Sequence, residues 1–148
     1  HVVGAEAVLA DVWGLNLGRR FDVVLALSHL VNDRDRARRL QLLQVCHHHL
    51  REGGLVVLQR YPPSWEPKDG SSTVGEVRVR LHVIEGAAAG FSAAVTYGLR
   101  GRSWTQWFNA AVVDDEELAS LALDGDLAIR GTLDDVGAWV VLETCSRG

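Results

Sequence analysis

The sequence predicts an α/β fold in which a parallel strand-helix-strand unit leads into an antiparallel meander and then a closing helix and hairpin. Three observations carry this. From Arg20 to Arg60 two apolar runs flank a segment of helical period, a pattern that sets two neighbouring parallel strands in one sheet. From Val77 to Leu99 the apolar period drops to two, with turn residues between the runs, as expected of strands joined by tight turns. From Asp114 to Gly125 an acidic start and a glycine stop bracket a second helix.

Size and charge limit what such a fold could do. The 148 residues are 47% hydrophobic, enough for one domain with a real core. A formal net charge of -4, with arginines scattered among acids, gives no basic stripe to draw in nucleic acid, so a small-molecule partner is expected. Cys46 and Cys145 stand far apart with no metal-binding spacing, and reduced thiols in a cytoplasmic protein are expected. No apolar run approaches the ~20 residues of a membrane span, and none reads as a signal peptide. The chain contains no methionine, even at its first position, so a portion upstream of His1 is expected.

In chain order, Ala7 to Ala10 reads as a brief strand, followed by a loop from Gly14 to Gly18. The near-continuous apolar run Phe21 to Leu27 suits a strand covered on both faces. Asp33 is the expected N-cap of a helix running to about Leu50, burying Leu40, Leu43, Cys46 and Leu50 and stopped by Gly53 and Gly54. Leu55 to Leu58 is the next strand, Tyr61 to Trp65 breaks the pattern at two prolines, and Glu66 to Thr73 reads as a surface loop.

The meander follows. Val77, Val79, Leu81 and Val83 alternate with Arg78, Arg80, His82 and Ile84; Gly86 to Gly90 turns the chain into the strand Phe91 to Leu99; Arg100 to Arg102 turns it again into Ser103 to Val112. Trp104, Trp107 and Phe108 on that last strand are expected in the core. Asp114 caps the second helix, whose buried side is Leu118, Leu121 and Ala122, and Gly125 ends it. Leu127 to Leu133 and Ala138 to Thr144, joined by the turn at residues 134–137, form the expected hairpin. One domain over residues 1–148 is expected, with parts at 1–61, 75–112 and 114–148.

The ordered pieces resemble a known family. Ala10-Asp11-Val12, then the run Gly18 to Ala26, then His49-Leu50-Arg51-Glu52-Gly53-Gly54 before the strand to Leu58, resemble the later part of a class I S-adenosylmethionine-dependent methyltransferase, the Rossmann-like family. Tyr97, Trp104, Gln106 and Phe108 resemble the meander of its small-molecule branch, and Asp114 to Leu121 the acidic start of its final helix. The resemblance implies an incomplete Rossmann-like methyltransferase sheet with an antiparallel meander inserted after the fifth strand. The family's glycine-rich cofactor loop and the acid ending its second strand are not found, and no G-x-G occurs. An N-terminally truncated domain lacking the family's first two strands is therefore expected, with the strand Phe21 to Leu27 left as an exposed apolar edge open to homo-oligomerisation.

The implied activity is methyl transfer from S-adenosylmethionine to a small molecule, weak or absent in this fragment. The alternative is a degenerate relative that serves as an interaction module without catalysis. In an open parallel sheet the ligand lies outside the carboxyl ends of the strands. The resemblance places adenine at Asp11, Val12 and Trp13, with the carboxylate accepting the amino proton and Val12 reading a ring nitrogen, although Asp11 could equally cap its own turn. Leu27 and Ser28 would flank the sulfonium. His29 is the histidine placed to act as a base, set against a packed or cap-bonded role; Asn32 would bond the acceptor or assist the helix start. Tyr61 and Trp65 would line the acceptor pocket, set for Trp65 against plain packing of the proline-rich corner, which is favoured. Arg78, Arg80 and His82 share a face that either meets an anionic acceptor or is solvated. No metal is expected, because His47, His48 and His49 on a helix point in directions roughly 100° apart.

Overall fold

A computed structural model of the chain describes residues 4–145. The elements are β1 (Phe21–Ala26), α1 (Arg36–His48), β2 (Leu50–Gln59), β3 (Gly70–Val74), β4 (Val77–Ala87), β5 (Gly90–Leu99), β6 (Arg102–Ala110), α2 (Asp115–Asp124), β7 (Leu127–Thr132) and β8 (Trp139–Thr144). They make two four-stranded sheets, ordered β1-β2-β8-β7 and β3-β4-β5-β6. In the first, β1 and β2 are parallel, as the crossover pattern demands, and β8 runs antiparallel between β2 and β7. The second is antiparallel throughout.

The main core lies between the first sheet and both helices. Val56 and Leu58 of β2 and Val140 and Leu142 of β8 meet Leu42, Leu43 and Cys46 of α1 and Leu118 and Leu121 of α2. Both helices cover the same face. The other face of β1 is open, and Val23 and Leu25 are 49% and 61% exposed. The expectation that Phe21 to Leu27 is covered on both faces is therefore corrected: no element among the described residues packs on the second side.

Other boundaries shift for local reasons. Asp35, not Asp33, caps α1, its carboxylate accepting from the Ala37 N–H at 2.9 Å; Asp33 is held instead by a bridge to Ala110. The helix ends at His48, before the two glycines. Leu50 already pairs with Phe21, and residues 51–54 bulge before pairing resumes at Leu55. Gly53, at a φ of 74°, serves that bulge rather than a helix stop. Leu42 takes the buried position expected of Leu40, which is half-buried, and Leu50 is buried as a strand residue.

Ala7 to Ala10 pair with no strand among the described residues and are exposed, so the brief strand is corrected to irregular chain. Part of the expected loop at Glu66 to Thr73 is strand: Gly70–Val74 pairs with β4. Its polar, fully exposed residues show no buried alternation to read. Gly86 turns at a φ of 97°, and a Cβ there would collide with the Gly90 carbonyl. Trp104 and Trp107 are 54% and 70% exposed, so neither is core; only Phe108 packs on the small cluster around Phe91. The closing elements match expectation. The Asp114 carboxylate accepts from the Glu117 N–H at 2.8 Å, Gly125 ends α2, and β7 and β8 form an antiparallel hairpin. No helix among the described residues is long and apolar enough to cross a membrane.

Candidate active site

The carboxyl ends of β1 and β2 open into a cleft of about 660 Å³, roofed by the meander. Because alternate residues of a strand face opposite sides, Val79 and Leu81 line it together with Val95, Tyr97, Gln106 and Phe108. Arg78, Arg80 and His82 occupy the intervening exposed positions of β4, and His82 pairs with Asp69 at 3.0 Å. The solvated reading of that face is the one the geometry supports.

The floor is built from the exit of β1. Ser28 and His29 both adopt left-handed backbone, at φ 61° and 58°, each costing on the order of 1 kcal/mol for a non-glycine residue. The surroundings hold them there. The Ser28 N–H donates to Gln59 Oε1 at 2.9 Å, and the His29 carbonyl accepts from Asn32 N–H at 2.9 Å. The His29 imidazole stacks on Tyr61 with centroids 4.3 Å apart and planes 16° apart. This reversal turns His29 into the cleft at the end of the strand.

Asn32 joins three segments. It is 1% exposed, its Nδ2 donates to the Ala111 carbonyl at 2.8 Å, and its Oδ1 accepts from the Tyr61 N–H at 3.0 Å. It thereby ties the β1 exit to the β2 exit and to the end of the meander. Burial lowers the His29 pKa below its ordinary value, since taking the imidazolium out of water disfavours it. Burial, with the Tyr97 phenol nearby, raises that of Tyr61. At neutral pH the cleft thus presents a neutral imidazole and a protonated phenol.

No family model matches the chain, and no curated protein does. Solved structures do. A S-adenosylmethionine-dependent methyltransferase from Clostridium acetobutylicum matches with a TM-score of 0.70 at 14% identity, over 91% of this chain and 62% of that one. The CcbJ methyltransferase from Streptomyces caelestis matches at 0.68 and 17% identity, over 94% of this chain and 63% of that one. The sugar N-methyltransferase KedS8 from a Streptoalloteichus species gives 0.66 and 18%, over 91% and 60%.

The fold is that of a class I S-adenosylmethionine-dependent methyltransferase. The chain spans about three fifths of the length of these methyltransferase structures. Within this methyltransferase fold the cleft brings together Trp13, Ser28, His29, Asn32 and Tyr61 of the residues singled out from sequence. Asp11, Val12 and Leu27 are not among its lining residues. Asp11 caps a short turn at Val12–Gly14, one carboxylate oxygen accepting from the Trp13 N–H at 3.1 Å. That is the capping role, and it leaves the second oxygen available. Trp13 carries the Arg38 guanidinium over its ring at 4.7 Å.

Sequence reading missed the residues that hold these walls. His49 is buried; its Nε2 accepts from the Leu17 N–H at 3.0 Å and its Nδ1 meets the Val45 carbonyl at 2.7 Å, which pins the 12–18 loop to α1. His48 sits beside Asn16, so neighbouring members of the histidine run serve separate contacts. Arg60, 1% exposed, anchors the β2 exit to Val113, Asp115 and Gly137. A charged residue at the end of a strand carries no local sign of burial, so only the two sheets' arrangement reveals it.

Proposed function

We propose that the chain is the acceptor-side part of a methyltransferase that transfers a methyl group from S-adenosylmethionine to a small molecule in the cytoplasm. The observation that carries this is His29, neutral and stacked on Tyr61, held at the strand exit over a cleft with a mostly apolar roof. The neighbours' names add support: one is a sugar N-methyltransferase, and another is an amino pentose methyltransferase with S-adenosylmethionine bound.

The residues present suit part of that cofactor. The second carboxylate oxygen of Asp11 and the backbone of Val12 would meet the adenine edge, with Trp13 beside the ring; Leu27 and Ser28 would face the sulfur. When bound, the cofactor supplies a methyl group on a positively charged sulfur. Alignment then carries most of the rate. Val79, Leu81, Val95 and Phe108 exclude water over the acceptor, and Tyr97 and Gln106 offer it hydrogen bonds. His29 takes the proton released by an amine or hydroxyl acceptor, and Tyr61 lies against the far face of the imidazole. Asn32, whose amide already bonds Ala111 and Tyr61, contributes by holding the wall.

The test is calorimetry with S-adenosylhomocysteine on the chain. Saturable binding that weakens in Asp11→Ala is expected. A folded chain that shows no heat of binding would instead support a noncatalytic interaction module.

A further inference from the structure

Trp65 lies outside the cleft's lining residues, yet it is linked to the imidazole by an unbroken stack. The turn Pro62 to Trp65 folds back on itself, with the Trp65 N–H donating to the Pro62 carbonyl at 2.9 Å and Pro63 at the turn's second position. The indole thus lies on Tyr61, centroids 4.4 Å apart and planes 13° apart. Tyr61 in turn lies on His29. Phe91, fully buried, closes the far side with ring centroids 5.7 Å from Trp65 and 6.0 Å from Tyr61.

We propose that Trp65 is a positioning residue, clamping the His29 imidazole through Tyr61 in one plane and with one face dry. The proposal rests on the reading of His29 as the base. Two features point to a clamp rather than to core filling alone. Ser28 and His29 both carry left-handed backbone that the hydrogen bonds to Gln59 and Asn32 hold in place, which fixes where the imidazole starts but leaves its side-chain torsions to the stack. Further, among the described residues the His29 side chain makes no hydrogen bond; the Ser28 N–H and the His29 carbonyl are fixed, and the ring is held by stacking. Offset-stacked pairs contribute on the order of 1 kcal/mol each, enough to select one rotamer.

The ionisable groups that line the cleft with His29 are Asp33 from its own turn, Tyr61 from the β2 exit and Tyr97 from the meander. The Asp33 carboxylate accepts from the Asp35 N–H at 2.8 Å and faces Arg38 at 3.7 Å. None of these contacts involves Trp65, so a change at Trp65 reaches His29 through the stack and its exclusion of water.

The experiment is an NMR titration of the His29 imidazole in the chain and in Trp65→Leu, with no turnover required. The His29 resonance is assigned through His29→Gln. In the variant the midpoint is expected to rise by about half a pH unit or more, as the ring gains water. A folded Trp65→Leu chain with an unmoved midpoint overturns the proposal. Should the leucine variant fail to fold, Trp65→Phe decides by the same criterion, with a smaller rise expected and no rise overturning it. Methyl transfer by His29→Gln tests the base reading by itself, so the two can fail separately.

Discussion

The Arg60 guanidinium donates to the Asp115 carboxylate while its other nitrogens donate to the carbonyls of Gly137 at 2.8 Å and Val113 at 3.0 Å. A cation 1% exposed is stable only with such partners. Arg60→Ala would leave both carbonyls unpaired and is expected to cost about 3 kcal/mol in urea unfolding. Asp115→Asn should cost far less, because the Asp115 side chain is 80% exposed and the carbonyl contacts of Arg60 remain.

Asn32 gives a second stability prediction. Asn32→Ala removes the donor to Ala111 and the acceptor for Tyr61 N–H, and about 2–3 kcal/mol of destabilisation is expected. Asn32→Asp keeps the acceptor but sets a buried carboxylate oxygen against the Ala111 carbonyl, so at neutral pH it should cost at least as much as alanine in the same measurement.

For His29 the prediction concerns pH. Burial lowers its pKa in the folded chain, so the unfolded chain takes up the proton more readily. The contribution of this residue to stability is therefore whole above about pH 6.5, the ordinary histidine value, and declines as pH falls through it. In the methyl-transfer assay the acid limb assigned to His29 should lie below that value. His29→Gln is expected to lower kcat by about 10²-fold or more, and an unchanged rate would remove it as a base.

The two thiols should differ sharply. Burial pushes Cys46 up to about 12, whereas Cys145 is only partly buried. A thiol reagent at pH 8 is expected to modify one cysteine in the folded chain and both after denaturation. Cys145→Ser should abolish labelling of the folded form.

Much of this was legible because it is local. Asp114, Glu117 and Gly125 mark α2 with their own chemistry, and the alternation from Val77 to Leu99 places β4 and β5 without reference to anything distant. What failed depends on partners. Asp33 and Asp35 are equal as caps until Ala110 binds the first. Gly53 permits a helix stop or a bulge, and pairing of Leu50 with Phe21 chooses the bulge. The polar strand β3 exists through its pairing with β4. At the site, His29 could be read from its place after an apolar run and Tyr61 as a pocket residue just past β2, but the stacking of Tyr61 and Trp65 on His29 could not, since it forms only once two prolines have folded the chain back.

The open face of β1 yields the last prediction. With Val23 and Leu25 49% and 61% exposed on an edge strand, the chain is expected to associate in solution. Light scattering should show species heavier than the 16.2 kDa monomer, and Leu25→Lys should shift them toward it. A monodisperse wild-type monomer would contradict this.

Gly137 sits in the hairpin turn near the end of the chain, far in sequence from His29. A Cβ on it would come within 3.2 Å of an Arg60 nitrogen and 3.4 Å of Pro63, in a backbone conformation at φ 74° that side chains resist. Arg60 precedes Tyr61, and Pro63 sits within the turn that carries Trp65. One added methyl group at Gly137 would therefore press at once on the anchor and on the bracket of the aromatic stack. The hairpin tip acts as a set screw for the tilt of a ring it never touches.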